Sequence, residues 1–252
     1  VAKIFPINSP AEFSEFLASR RSTRDFLTDP IEPELLEQLF VDALTAPSWS
    51  NTRPFQFAIA QGEVRDRIST EFQNRWAALS KATQGGKLSK VKLFINRYGL
   101  PTSNKLASKK YVPALLPRAQ RVGKEMYEHF GVSRKDRAAR NQEWNRNYQF
   151  FNAPVEIFIF FHKSLDIFAS HDAGLAIENL ILSAHARSLG TCLQGAVSVW
   201  EDVVRGEFEI SNEYQLLCGL ALGYPSDSQR NKFGAHRMDP KDLIVPRKQG
   251  NK

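Results

Sequence analysis

The chain reads as an α+β or α/β sandwich with one central sheet. Three observations predict it. Short apolar runs at 55–60, 154–161 and 216–223 have the length and bounding turn signals of buried strands. Long segments with helical spacing lie between them and dominate the chain. At 252 residues and 42% apolar composition, the chain fits one large domain or two small ones with a substantial core.

The elements follow in order. Ser9-Pro10-Ala11-Glu12 is a capping box with proline at the first helical position, and Phe13, Phe16 and Leu17 continue as an apolar stripe. That helix delivers Arg20 and Arg21 at its end. Pro33 opens a second helix, with Leu35, Leu36, Leu39, Phe40, Ala43 and Leu44 at helical spacing, and the stop is expected near Ala46-Pro47. After the strand at 55–60 a helix is expected over 64–79. Gly85-Gly86, Pro101, Pro113 and Pro117 then break the pattern repeatedly. Helical spacing returns over 118–130 and again over 133–151, with Ser133 as the expected N-cap and Asp136 at the third helical position. The strand at 154–161 is followed by the strongest helix signal, 166–189. Its wide face contains Ala173, Ala176, Ile177, Leu180, Ile181 and Ala184, small enough for close approach to the sheet or to a second subunit. Gly190 is expected to end this helix.

Charge is distributed unevenly. The net charge is +7, yet residues 81–140 hold fifteen Lys/Arg and three Asp/Glu, a local +12 that leaves the remainder near −5. The segment lacks a recognisable nucleic-acid motif, so its charge is assigned to an anionic substrate or to its own solvation. No apolar run approaches the ~20 residues of a membrane helix, and Val1 to Pro6 lacks a signal-peptide core. Cys192 and Cys218 form no cysteine motif, which fits a cytoplasmic protein, and Cys192 reads as a buried small hydrophobe rather than a nucleophile. The five histidines show no metal spacing, and neither a Walker loop nor a dinucleotide glycine fingerprint is present.

Four stretches carry candidate chemistry. Arg20-Arg21-Ser22-Thr23-Arg24 places three guanidiniums and two hydroxyls within five residues, a set suited to phosphate oxygens as well as to a solvated helix end. Pro47-Ser48-Trp49-Ser50-Asn51-Thr52-Arg53-Pro54-Phe55 is a turn-rich loop that offers polar groups to a flat ligand, or is only a turn. Leu189-Gly190-Thr191-Cys192-Leu193-Gln194-Gly195 comes directly after the long helix. Asn231-Lys232-Phe233-Gly234-Ala235-His236-Arg237 lies beyond the Tyr224-Pro225 turn.

Together these resemble the nitroreductase family, over roughly 10–80 and 150–240. Arg53 stands where the family often has glutamine, and Gly234 replaces the earlier arginine of its C-terminal motif. The resemblance implies an α+β nitroreductase-like sandwich, a central mixed sheet flanked by helices, in an intertwined homodimer. It implies a single domain over 1–252 with a basic insertion or lid at about 85–130. It implies FMN as cofactor and NADH or NADPH as co-substrate, with hydride passing through flavin N5 to a nitroaromatic or quinone by a ping-pong mechanism, and no catalytic side chain. Arg20, Arg21, Ser22, Arg24 and Arg237 would hold the phosphate, the ribityl chain or the flavin O2 edge. Pro47, Ser48 and Asn51 would reach the flavin mostly from the partner subunit, and Leu193, Gln194 and Gly195 would run along the ring. The stretches 121–127, 133–137 and 147–154 resemble the nitrobenzoate-reductase-like branch, which points to Trp49, Arg121, Lys124 and Tyr127 as substrate-side residues. Reductive dehalogenation or enone reduction on the same scaffold, flavin binding without turnover, and nucleic-acid binding through 81–140 remain as alternatives.

Overall fold

The computed structural model describes residues 9–103 and 111–247. The N-terminal residues considered for targeting, and 104–110 of the basic insertion, lie outside the described residues.

Helix α1 (Pro10–Ser19) starts as the sequence requires: the Glu12 amide donates to Ser9 Oγ at 3.2 Å. Helix α2 (Pro33–Ala43) buries Leu36, Leu39 and Ala43. Strand β1 (Phe55–Gln61) leads into α3 (Gly62–Gln84), which is longer than its periodicity suggested at both ends. The weakly patterned stretch contains α4 (Lys87–Asn96), followed by α5 (Leu116–His129) and α6 (Arg137–Asn145). Strand β2 (Val155–His162), α7 (Asp166–Ala186), β3 (Gly190–Gln194), α8 (Glu201–Arg205) and β4 (Tyr214–Gly223) complete the element order.

The strands form one sheet in the order β1-β2-β4-β3. All three ladders are antiparallel, and the parallel component of the expected mixed sheet is the isolated Ser22–Thr191 bridge. Seven of the eight β2 residues are buried, as a central strand covered on both faces requires. Val155, Ile157 and Ile159 face the core beneath α2 and α7, where Ala173, Ala176 and Ala184 allow close helix–sheet approach. Phe158 and Phe160 face a second core formed with Phe72 of α3, Trp200 and the aromatic run 148–151. A bulge between Ile159 and Phe160 leaves Leu217 outside the register, so β4 turns Leu216, Gly219 and Ala221 toward that second core.

Two expected boundaries move. The helix expected over 133–151 begins instead after Asp136, whose Oδ1 accepts from the Ala139 amide at 2.9 Å, and it ends at Asn145. Phe150, Phe151 and Asn152 take positive φ, and this tight turn buries the aromatic side chains that had looked like helical periodicity. The α7 stop comes from Ser188, which takes φ +61°, while Gly190 opens β3. A Cβ on Gly190 would fall on the Thr23 hydroxyl, so glycine there permits the chain crossing that brings 20–24 onto the sheet.

Candidate functional site

The crossing places the arginine run at the C-terminal end of α7. Thr23 donates its amide to Thr191 O at 2.8 Å, and Leu27 donates to Tyr224 O at 2.9 Å, so 22–27 is stitched to the ends of β3 and β4. A cavity of about 260 Å³ opens there, lined by Arg20, Arg21, Thr23, His185, Gly190, Thr191 and Asn231, among others. Arg20, Arg21 and Thr23 of the first stretch, Gly190 and Thr191 of the third and Asn231 of the fourth line one cavity, and His185 joins them from outside the quoted stretches.

Asn231 organises the rim. Its Nδ2 donates to Asp25 O at 2.7 Å and Ser226 O at 2.9 Å, while its Oδ1 accepts from the Arg24 amide at 2.8 Å. Arg21 Nη1 donates to Lys232 O at 3.0 Å, and a Cβ on Gly234 would lie 3.9 Å from the Arg21 guanidinium carbon. The C-terminal motif therefore stands over the N-terminal one. Arg237 turns back on itself, donating to Ala235 O at 3.0 Å, with its side chain exposed.

The electrostatics favour an anion. Among the described residues, no carboxylate lies within ion-pair distance of Arg20, Arg21 or Arg24, although nearby Arg146 pairs with Asp25 at 2.5 Å. Arg24 keeps its guanidinium 5.9 Å from the Phe233 ring centroid, near Ser22 O. Burial, then the Arg20 cation, holds His185 below the ordinary imidazole range, so the cavity wall beside the arginines is neutral. Among the described residues, no His/Cys/Asp/Glu group is arranged to hold a metal.

On β3, Cys192 is buried and Leu193 is 50% exposed on an edge strand. Burial pushes the Cys192 thiol up to about 12, which keeps it protonated and unreactive at neutral pH. Gln194 is buried and donates Nε2 to Asn147 O at 2.6 Å. A Cβ on Gly195 would meet nothing within 4 Å, so open space lies beside the backbone there. This exposed apolar side chain, open backbone and neighbouring arginines without carboxylate partners fit a flat aromatic group with a phosphate tail.

The loop 47–53 is built but stands apart from the arginines. Its Trp49 amide donates to buried Asp172 at 2.8 Å, and the Trp49 ring lies 4.3 Å from Phe168, centroid to centroid. Arg53, the departure from the family pattern, folds the loop: its amide donates to Ser48 Oγ, Nη1 to Asn51 Oδ1 at 2.6 Å, and Nη2 to Leu44 O. Asp172 and His185 are thirteen residues apart on α7, which is about 20 Å along a helix. The loop and the arginine cluster therefore occupy opposite ends of α7.

Arg121 and Lys124 sit on α5 in exposed pairs with Glu125 and Glu128, at 2.7 and 3.8 Å. Tyr127 lies under the Arg140 guanidinium at 5.3 Å. The far end of α5 reaches the cluster: His129 and Phe130 pack on Phe233, and Arg230 pairs with Glu143 while covering Phe130. A larger cleft of about 570 Å³, between Glu32, Arg65 and Asn152, takes only Asn152, Ala153 and Pro154 from the quoted stretches and none of the candidate site residues, and its cation Arg65 is already paired with Asp66 at 2.6 Å.

A model of the nitroreductase family matches residues 17–224. A nitrobenzene nitroreductase of Ectopseudomonas oleovorans is 25% identical over 232 residues, covering 92% of this chain and 95% of its own. A 4-nitrobenzoate reductase of Pseudomonas putida is 27% identical, covering 86% of this chain and 87% of its own. The solved structure of an FMN- and NADPH-dependent nitroreductase, NfnB, from Sphigopyxis sp. strain HMH superposes with a TM-score of 0.80 at 24% identity, covering 94% of this chain and 99% of that one.

Proposed function

The chain belongs to the nitroreductase family, and from that premise we propose an FMN-dependent oxidoreductase that moves hydride from NADH or NADPH to a nitroaromatic or quinone. The observation that carries the reading is the Arg20–Arg21 pair, without a carboxylate partner among the described residues, on a cavity at the end of α7, with the Arg24 amide held at its rim by Asn231. Bound FMN supplies the hydride chemistry.

The chain's own residues bind and orient. Arg20 and Arg21 neutralise the phosphate, Ser22 and Arg24 complete its surroundings, and Arg237 closes from the C-terminal side. The negative C-terminal end of α7 does not attract a phosphate, so the guanidiniums supply the attraction. Leu193 would offer an apolar surface to the bound flavin, and the open backbone at 194–195 would let N–H groups donate to it. Pro47, Ser48 and Asn51 of a second subunit cover the ring, with Trp49 at its margin. One site serving the nicotinamide donor and the acceptor in turn would give ping-pong kinetics. The described residues act as one domain, with the cytoplasm as the proposed compartment.

Two relatives with long shared coverage act on aromatic nitro compounds by name, one of them an acid, which supports nitroreduction over reductive dehalogenation or enone reduction. The purified protein is expected to be yellow and to bleach with NADH or NADPH, recovering its colour when a nitroaromatic is added. A colourless preparation that cannot be reconstituted, or a flavin that neither nucleotide reduces, overturns the proposal.

The basic segment is proposed as a lid that steers acidic aromatics. Docking of His129 and Phe130 on Phe233 supports this, because it ties α5 to the arginine cluster. The exposed pairs of Arg121 and Lys124 contribute little stability. Their field screens over ~8 Å at physiological ionic strength. The kcat/KM for a nitrobenzoate is therefore expected to fall more steeply with salt than that for nitrobenzene, and Arg121→Ala with Lys124→Ala should narrow the gap. Parallel salt dependences would return the segment to a solvated arm.

A further inference from the structure

Strand β2 carries one charged-type side chain into the second core. Glu156 is fully buried, and neither carboxyl oxygen has a hydrogen-bond partner among the described residues. Buried polar atoms in that condition are costly and call for a donor. The strand neighbour makes room for the carboxyl: a Cβ on Gly219 would fall on Glu156 Oε1, so the carboxyl occupies the space a side chain at 219 would need.

The register shows what lies beside it. Glu156 pairs with Ala221, which pairs with Cys192, whereas Gly219 pairs with Gln194. By lying over Gly219 the carboxyl has moved along the sheet into the row of Gln194. Gln194 is also buried, and its Oε1 has no partner among the described residues. Its amide cannot simply be reversed, because Nε2 donates to Asn147 O at 2.6 Å. The patch thus holds three oxygen acceptors and needs a proton donor.

We propose that Glu156 is a buried neutral acid that donates its O–H to Oε1 of Gln194, and so is a positioning residue for the 193–195 stretch. The proton stays on the carboxyl oxygen, and the reaction neither consumes nor releases it. Its consequence for cofactor binding rests on the reading of 193–195 as the wall of the flavin site. Gln194, clamped at Nε2 by Asn147 and at Oε1 by Glu156, then holds the end of β3 in one conformation.

The groups that face Glu156 agree with a protonated acid. Burial raises it well above the usual carboxylate range, and the Arg65 cation on α3 offsets this only in part. Arg65 gives its Nη atoms to Asp66 at 2.6 Å and to Gln149 O at 2.9 Å, and its buried Nε has no hydrogen-bond partner among the described residues. Cys192 on β3 and Cys218 on β4 feel the carboxyl, and both thiols stay protonated, each pushed to about 12 first by burial. Val197 also reaches the space over Gly219 that the carboxyl occupies.

Infrared spectroscopy of the purified protein, with or without flavin, tests the pairing. At neutral pH a carboxylic-acid carbonyl band is expected that Glu156→Gln removes and Gln194→Leu shifts. Absence of the band assigns an ionised Glu156 facing Arg65, and a band unmoved in Gln194→Leu assigns another acceptor; either overturns the proposal. Stability gives a second reading. A proton held in the fold and lost from the unfolded chain near pH ~4.3 makes stability fall as pH rises above that value, toward the folded-state value. Glu156→Gln should flatten that slope, and an unchanged slope counts against the neutral acid. For the flavin, Glu156→Gln keeps a donor in place and should retain native FMN affinity, while Glu156→Leu should lose about tenfold, one hydrogen bond's worth. Equal affinities in the two variants overturn the positioning role. Failure of all variants and the native protein to bind FMN would instead sink the functional reading, with the infrared result standing by itself.

Discussion

Arg20→Ala and Arg21→Ala should each release FMN. A charge-assisted hydrogen bond to a phosphate contributes about 1.5–3 kcal/mol, which is roughly tenfold to a hundredfold or more in affinity. In the proposed site these two are the decisive cations. Both line the cavity at the end of α7, and neither has a carboxylate partner among the described residues. Their removal therefore leaves no newly orphaned acid, and the loss reports the ligand contact rather than a broken ion pair. Arg24 is a less direct reporter, since its amide is held by Asn231 and its guanidinium lies near the Phe233 ring. Arg237→Ala is expected to cost less than either, because its guanidinium turns to Ala235 O. Flavin fluorescence during dialysis against each variant measures the series. Unchanged retention in both Arg20→Ala and Arg21→Ala would remove the phosphate assignment.

The parts legible in the sequence are those whose causes are local. The Ser9–Glu12 cap needs only four residues, and it forms with the expected amide-to-hydroxyl bond. Strand β2 is a continuous apolar run because both faces are covered, and it pairs where its length predicts. The boundaries that moved depend on partners distant in sequence. Asp136 displaces Ser133 as the cap, and 148–151 leaves the helix to fill a core shared with Phe72 and Trp200. Gly190 looked like a helix stop, but Thr23 determines its need for glycine. The site divides in the same way. The run 20–24 announced itself by composition, while Asn231 and His185 join it through contacts distant in sequence, with Arg24 and Ser19 respectively. Glu156 passed as one polar position within a strand, because its significance lies in Gly219 and Gln194.

A subunit kept from pairing should lose both flavin retention and turnover together. The two halves of the proposed site lie at opposite ends of α7 in one chain, about 20 Å apart along the helix. A second copy can bring its 47–53 loop to the first copy's arginines, and the reverse, which is the reciprocity of a two-fold interface. The surface is prepared for it. Phe13 and Leu17 on α1, Val41 on α2, Leu44 just after it, Trp49, and Ile167 and Phe168 on α7 are all exposed in the single chain. Large apolar groups exposed on three helices and one loop are costly to leave in water. Trp49 and Phe168 already pack against each other with tilted rings, so they present one apolar unit at the end of α7. Folding, assembly and flavin binding are then linked, and stability should rise with protein concentration and with added FMN. Replacing Val41 and Ile167 by Glu introduces charges into this face without touching a residue assigned to the flavin. Sedimentation should show native protein as a dimer and the double variant as a folded monomer by circular dichroism. That monomer should be colourless and inactive with NADH or NADPH. A monomer that keeps FMN and reduces nitrobenzene at the native rate would show that one chain completes the site alone.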